Sequence, residues 1–392
     1  MDRARKNVGL LTVTQALAMT GQIMNVTTSA LAGYALAEDK GLATLAVGLQ
    51  FTATMATTIP ASMLMARIGR RWGFTVGALS QVAGALGAAA AILIGNFWLF
   101  SVCGILFGIA NGCASFYRFA AADTADDKFR ATAISLVLGG GVAAALVGPE
   151  VARWSRDLLL PHLYAGTYVL LAGLGVINSL VLARLDIPKP PRARFTAGRP
   201  LLEIAAQPRF VVAVLSAMLA YGTMTLLMTA TPLAMMVCGH SFDDSAFVIQ
   251  WHALGMFAPA FVTGHLIRRL GLPTIMQAGA LVLMVGVGID LWGQAVVFFW
   301  VGLILLGVGW NFLFVGATTL LTDTYRPEEK AKVQAINDLC VFSSSATAAF
   351  SAGALQHRFG WEIVNYGVVP LIVLALLGGL WLRWTVQRPA AA

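Results

Sequence analysis

Charge is scarce in this sequence. Only 11% of its 392 residues are Asp, Glu, Lys or Arg, where a soluble globular chain carries about 25%. Hydrophobic residues make up 58% and the mean hydropathy is +0.78. An ordinary water-soluble domain is excluded, and a polytopic membrane protein is indicated. Cysteine at CxxC spacing is also missing. Cys103, Cys113, Cys238 and Cys340 stand apart, three of them inside apolar runs, where a free thiol behaves as a small hydrophobe. No disulfide framework follows. No Walker loop, zincin motif or nucleophile elbow is present, so the sequence gives no sign of an enzyme and no prosthetic group is expected. The net charge of +8 does not point to nucleic acid, because the charges fall between the apolar runs. The run from Val8 to Leu36, after the basic start Arg3-Ala4-Arg5-Lys6, is too long for a signal-peptide core and reads as a retained first span.

What is present is a series of apolar runs of membrane-spanning length. They fall near 8–36, 42–66, 72–94, 97–122, 129–151 and 163–183, and again near 209–237, 245–267, 272–292, 295–322, 331–355 and 361–382. The pattern predicts an all-α membrane protein with about 12 transmembrane helices. They form an N-terminal six-helix bundle over 1–183 and a C-terminal one over 209–392. The linker at 184–208 carries Pro188, Pro190, Pro191 and Pro200 with Lys189, Arg192, Arg194 and Arg199, and cannot span. Basic residues cluster in alternate loops, at Arg67/Arg70/Arg71, Lys128/Arg130, the linker, Arg268/Arg269, Arg326/Lys330/Lys332 and Arg383/Arg388. The positive-inside rule then puts both termini and the linker in the cytoplasm. The expected location is a bacterial inner membrane, with the lipid bilayer as the surrounding partner and no nucleic acid.

The halves repeat. Ala66-Arg67-Ile68-Gly69-Arg70 matches Arg268-Arg269-Leu270-Gly271-Leu272 at an offset of 202, and Lys128-Phe129-Arg130 matches Lys330-Ala331-Lys332 at the same offset. Duplicated carriers hold substrate near the membrane midplane.

One stretch carries unusual chemistry. Met224 and Met228 are four apart, as are His252 and Met256, with Cys238-Gly239-His240-Ser241-Phe242-Asp243-Asp244 between the pairs. A spacing of four puts two side chains on one helix face. In an antiparallel hairpin turning near His240, Met228 would meet His252 and Met224 would meet Met256, roughly 11–16 Å below the surface at 1.5 Å per residue. Thioethers with an imidazole suit a soft ion such as Cu(I). The competing readings are ordinary. A methionine in an apolar helix usually fills a gap, and the His252 imidazole would instead bond Thr229 or Gln250 across helices. An intramembrane histidine is nevertheless a functional candidate by default. Cys238 and His240 are candidates for a capture relay at the mouth, ahead of Met235 and Met236. Met19, Met24, Gln15, Gln22 and Asn25 on the first helix rank lower. Asp338 is a candidate proton-coupling carboxylate, and Arg118 is placed to snorkel.

The chain resembles the major facilitator superfamily over nearly its whole length. That family's loop signature between helices 2 and 3, Gly-x-x-x-Asp-Arg-x-Gly-Arg-Arg, reads here Ser62-Met63-Leu64-Met65-Ala66-Arg67-Ile68-Gly69-Arg70-Arg71. The basic end is kept, and Ser62 and Ala66 replace the glycine and the acid. Within the superfamily, Met-x-x-x-Met on helix 7 with His-x-x-x-Met on helix 8 resembles the CcoA-like bacterial copper importers, a group that also includes riboflavin transporters. That resemblance implies a metal set of Met224, Met228, His252 and Met256. It also implies copper as the transported ion and supply to cbb-type cytochrome oxidase assembly. A cytoplasmic copper chaperone or a copper-exporting ATPase would act downstream. Two alternatives stay open. One is uptake of riboflavin or another small organic solute, in which Trp251, Phe257, Trp310, Asn311 and Phe312 matter more. The other is a membrane copper-binding assembly factor that does not transport.

A reporter fused after Ala392 is expected to be active only as a cytoplasmic type, and one inserted near Asp243 only as a periplasmic type. The reverse pattern would invert the topology.

Overall fold

A computed structural model describes residues 3–126, 129–187 and 198–387. Lys128, Pro188, Lys189, Pro190, Pro191, Arg192, Arg194 and Arg388, which entered the topology argument, lie outside these residues. Every regular element among the described residues is helical, the expected answer for a chain in lipid, where a helix satisfies its own backbone. The chain divides into two compact units, Met1–Ala193 and Arg194–Ala392.

The first unit contains α1 (Arg3–Leu36), α2 (Leu45–Ile68), α3 (Arg70–Leu93), α4 (Phe97–Ala114), α5 (Tyr117–Thr124), α6 (Arg130–Ser155) and α7 (Ala165–Leu182). Here α1 packs on α6 and α7, α2 on α4, and α3 on α4 and α7. Small residues set these contacts. Gly104, Gly108 and Gly112 share one face of α4, and a Cβ at Gly104 would lie 2.2 Å from the Ala46 carbonyl oxygen of α2. Gly140, in the triple-glycine stretch of α6, meets the Thr12 carbonyl and the Ala16 nitrogen of α1 in the same way. Close backbone approach of this kind replaces the hydrophobic drive that lipid removes. At one end of the unit, Arg70 pairs with Asp123 and donates to the Phe116 carbonyl. The loop signature therefore finds its acid on α5, since Ala66 cannot supply one. Asn7 exchanges two hydrogen bonds with the Asp186 backbone, at 2.7 and 3.1 Å.

The second unit contains α8 (Leu201–Ala205), α9 (Pro208–Val237), α10 (Phe242–Phe257), α11 (Ala260–Leu270), α12 (Leu272–Asp290), α13 (Val296–Thr322) and α14 (Lys330–Gln387). The last is two helical legs broken at Gly360, whose φ is +79°. Pro208 opens α9 at its first turn, where the missing N–H costs nothing. Ser241 and Asp244 form a reciprocal capping box that starts α10. Pro259 lies at a 43° bend between α10 and α11. The polar atoms freed near that bend are met by Asn311, which donates to the Met256 carbonyl at 2.7 Å and accepts from Thr263 at 2.7 Å. The residue before α8, Arg199, grips Glu329 through Nη2 at 2.8 Å, Nε at 3.0 Å and its own backbone N–H at 2.8 Å. That grip holds the Glu329 carboxyl well below the usual carboxylate range. The pair is therefore intact at neutral pH and lost only on strong acidification.

Nine helices among the described residues are long and apolar enough to cross a membrane, and a tenth span arises if the bent pair α10–α11 is one. α1 is long enough but polar, with Thr12, Thr14, Gln15, Thr20, Gln22 and Asn25 along it. The internal repeat is visible in the backbone. Gly69 and Gly271, 202 residues apart, both take positive φ with extended ψ, at (94°, 157°) and (85°, 147°).

α10 and α13 touch through glycine, since a Cβ on Gly307 would lie 2.5 Å from the His252 carbonyl oxygen. Gly307→Val is expected to cost at least about 1–3 kcal/mol by overpacking. Gly264→Ala, which meets nothing within 4 Å, should be neutral or gain up to about 1 kcal/mol. Thermal unfolding of the purified protein in detergent separates the two, and equal melting temperatures would contradict the packing.

Candidate functional site

The residues singled out in the sequence lie on α9 and α10, and both helices lean on α13. Met224, Met228 and His252 are buried, and Met256 is half-buried. The His252 Nδ1–H donates to the Leu303 carbonyl of α13 at 2.9 Å. Its partner is thus a backbone oxygen, and neither Thr229 nor Gln250. This fixes the tautomer and leaves Nε2 as an acceptor that is buried without a partner.

The antiparallel hairpin expectation needs correction. α9 and α10 are joined by a tight turn, with Gly239 at φ +82°, but they share only a short contact. α10 lies mainly on α13, and α9 mainly on α14 and α13. The reason is steric. Gly255 and Gly307 bring the α10 and α13 backbones together, which draws α10 to α13. Equal distance from the turn therefore does not by itself bring Met228 beside His252 or Met224 beside Met256.

At the mouth, the two relay candidates do different things. His240 donates from Nε2 to the Gln294 carbonyl at 2.6 Å, and its ring sits edge-on to Phe299 at 5.9 Å. It ties the α9–α10 turn to the α12–α13 turn. Cys238 is the residue that closes α9, and its backbone N–H bonds the Ala234 carbonyl. Burial pushes its thiol up, away from the thiolate that binds metal. Met235 is buried and Met236 half-buried. Among the described residues, no three of His, Cys, Asp and Glu gather as a metal site. In the first unit, Met24 is fully buried and Asn25 donates to Gln50 at 2.7 Å. Gln15, Met19 and Gln22 are half-buried. Arg118 is exposed and lies over the Phe119 ring at 4.9 Å, and Asp338 accepts from Asn337 at 3.2 Å.

Sequence reasoning missed a cluster of rings. Tyr221 of α9 packs edge-on to Trp310 and Phe314 of α13, at 5.1 and 4.8 Å, and to Phe342 of α14 at 6.3 Å. Trp310 and Phe314 stack at 5.1 Å with their planes 12° apart. These residues sit close to the middle of their helices, hence at mid-depth of the span. Trp310 was named from sequence; Phe314, one turn on, and Tyr221, a lone phenol in an apolar run, were the signals that could have completed the set. Trp251 belongs to another cluster, with Phe247 and Trp300, and Asn311 is committed to the α10–α11 bend. Phe257 and Phe312 are half-buried. Around the rings, Thr223, Thr225 and Thr229 of α9 keep buried hydroxyls with no partner, as does the Trp310 indole N–H. Apolar walls with a few unmatched polar groups are the chemistry of a small-molecule site.

His240→Ala is expected to lower stability by about 1 kcal/mol through its lost hydrogen bond, and Cys238→Ala to stay within about 0.5 kcal/mol. Melting temperature reads both. A copper-dependent rise in melting temperature that either substitution removed would instead mark the mouth as a metal relay.

Residues 11–349 and 213–392 match the Major Facilitator Superfamily. Over 95% of both chains, the protein is 41% identical to the riboflavin transporter RfnT of Brucella anthropi. It is 26% identical to the MFS-type transporter YddS of Bacillus subtilis, over 98% of this chain and 93% of that one. In three dimensions it resembles the crystal structure of a bacterial homolog to the human lysosomal transporter Spinster, in an inward-facing and occupied conformation. The TM-score is 0.74, over 100% of both chains at 16% identity, a likeness of fold alone. The copper expectation gains no support from these relatives. The chain is a multi-pass membrane protein and belongs to the Major Facilitator Superfamily.

Proposed function

We propose that this protein carries a flat heteroaromatic solute of the riboflavin class into the cell, by alternating access in a bacterial inner membrane. The observation that carries this reading is the ring cluster of Tyr221, Trp310, Phe314 and Phe342. It sits at mid-depth, where a duplicated carrier holds its substrate. Stacked and edge-on rings offer a planar ligand both area and quadrupole contacts. The unpartnered hydroxyls of Thr223, Thr225 and Thr229 and the Trp310 N–H supply donors for ring carbonyls. The 41% identity to a riboflavin transporter points to the same solute class. Copper import, expected from the Met-x-x-x-Met and His-x-x-x-Met pattern, is the reading this one replaces. In an organic-solute carrier, Met224, Met228 and Met256 are adaptable apolar wall.

Labelled riboflavin uptake, in cells that neither make nor import it, tests the proposal. The gene should restore accumulation. Trp310→Leu or Phe314→Leu should weaken apparent affinity about ten-fold at normal protein abundance. Met228→Leu and Met256→Leu, which keep volume, should leave riboflavin uptake within about two-fold of the parent. Absence of riboflavin uptake, with copper uptake that the two methionine substitutions abolish, would overturn the proposal.

A further inference from the structure

We infer that His252 is a specificity residue that accepts a hydrogen bond, at Nε2, from an imide-type N–H on the edge of the transported ring. The inference rests on the functional reading above and assigns one side chain within it.

The imidazole has only one free role. Nδ1–H is committed to the Leu303 carbonyl at 2.9 Å, so the remaining ring nitrogen is an acceptor. That nitrogen is enclosed, in a residue only 1% exposed, and has no partner among the described residues. An acceptor held this way is complementary to a donor N–H and repels a second acceptor. The neighbouring unmatched groups have the opposite sense. The Thr223, Thr225 and Thr229 hydroxyls and the Trp310 N–H all have a hydrogen to donate. A ring edge with an N–H between two carbonyls alternates acceptor, donor, acceptor, and matches a site whose one acceptor is His252.

The spacing also fits. Leu303, Gly307, Trp310 and Phe314 fall on one stripe of α13, at i, i+4, i+7 and i+11. The His252 ring bonds the first and its backbone packs on the second, while Tyr221 packs on the last two. Seven residues of helix span roughly 10 Å, about the length of a three-ring heterocycle. A ring stacked at Trp310 and lying along α13 therefore brings its far edge to the level of His252. The enclosure of the imidazole is no obstacle. α9 and α10 share only a short contact, so their seam is the one that opens at least cost, while glycine-to-glycine packing keeps α10 on α13.

The test is equilibrium binding to the purified protein, read by quenching of flavin fluorescence, with riboflavin and its N3-methyl derivative. The methyl group removes the imide hydrogen and leaves both carbonyls. The parent protein should prefer riboflavin about ten-fold. His252→Leu should reduce that preference to about two-fold or less, and His252→Gln, which keeps an acceptor, should retain part of it. Equal binding of the two flavins by the parent overturns the inference without needing any variant, and so does an unchanged preference in His252→Leu. Failure of the parent to bind either flavin overturns the functional reading itself, which is a different result.

Discussion

Membrane-spanning helices must satisfy their own backbones, and any polar side chain turned inward then has to find a partner elsewhere. The first unit meets this demand with pairs such as Asn25–Gln50 and Ser155–Thr167. In the second unit Asn311 is fully used at the α10–α11 bend. Against that background, the unmatched atoms of Thr223, Thr225, Thr229, His252 and Trp310 stand out. They lie on three helices of one unit and beside its largest group of rings. Leaving buried polar groups unpaired costs free energy, so a set concentrated in one region is a vacancy for a ligand's own polar edge.

α13 organises that region. It is packed by α9, α10 and α12, and its glycines choose how closely each approaches. Gly309 meets the Gly279 carbonyl of α12, and Gly307 meets the His252 carbonyl of α10. Where α13 turns large, at Trp310 and Phe314, it meets α9 through rings instead. One helix thus alternates backbone contact with aromatic contact along its length. The rings have space because the neighbouring helices are held in place by glycine elsewhere.

The fold was largely legible from sequence, because apolar run length and a 202-residue self-match are direct consequences of bilayer thickness and duplication. The site was less so. Four-residue spacing correctly put Met224 with Met228, and His252 with Met256, on single helix faces. The step that failed was pairing two helices because a short turn joins them. Which helices share an interface depends on Gly255 and Gly307, which look like many other glycines in the sequence. His252 was rightly set apart, yet its partner is a main-chain oxygen, which no residue pattern announces. The ring cluster draws on Tyr221, Trp310, Phe314 and Phe342, separated by up to 121 residues (342 minus 221), and only packing reveals it. The partner of Arg70 was hidden in the same way, since Asp123 lies outside the loop signature.

The two matching turns, at Gly69 and Gly271, differ in everything except their dihedral angles. One precedes Arg70, which is ion-paired to Asp123; the other precedes Leu272, which carries no charge. What has survived since the halves were copies is a backbone shape that L side chains rarely adopt. Selection at such a turn acts on a torsion angle and leaves the surrounding charges free to drift. The loss of the signature acid at Ala66 is then no sign of a damaged turn. It is the freedom of a hinge whose geometry is written in one hydrogen atom where every other residue would place a carbon.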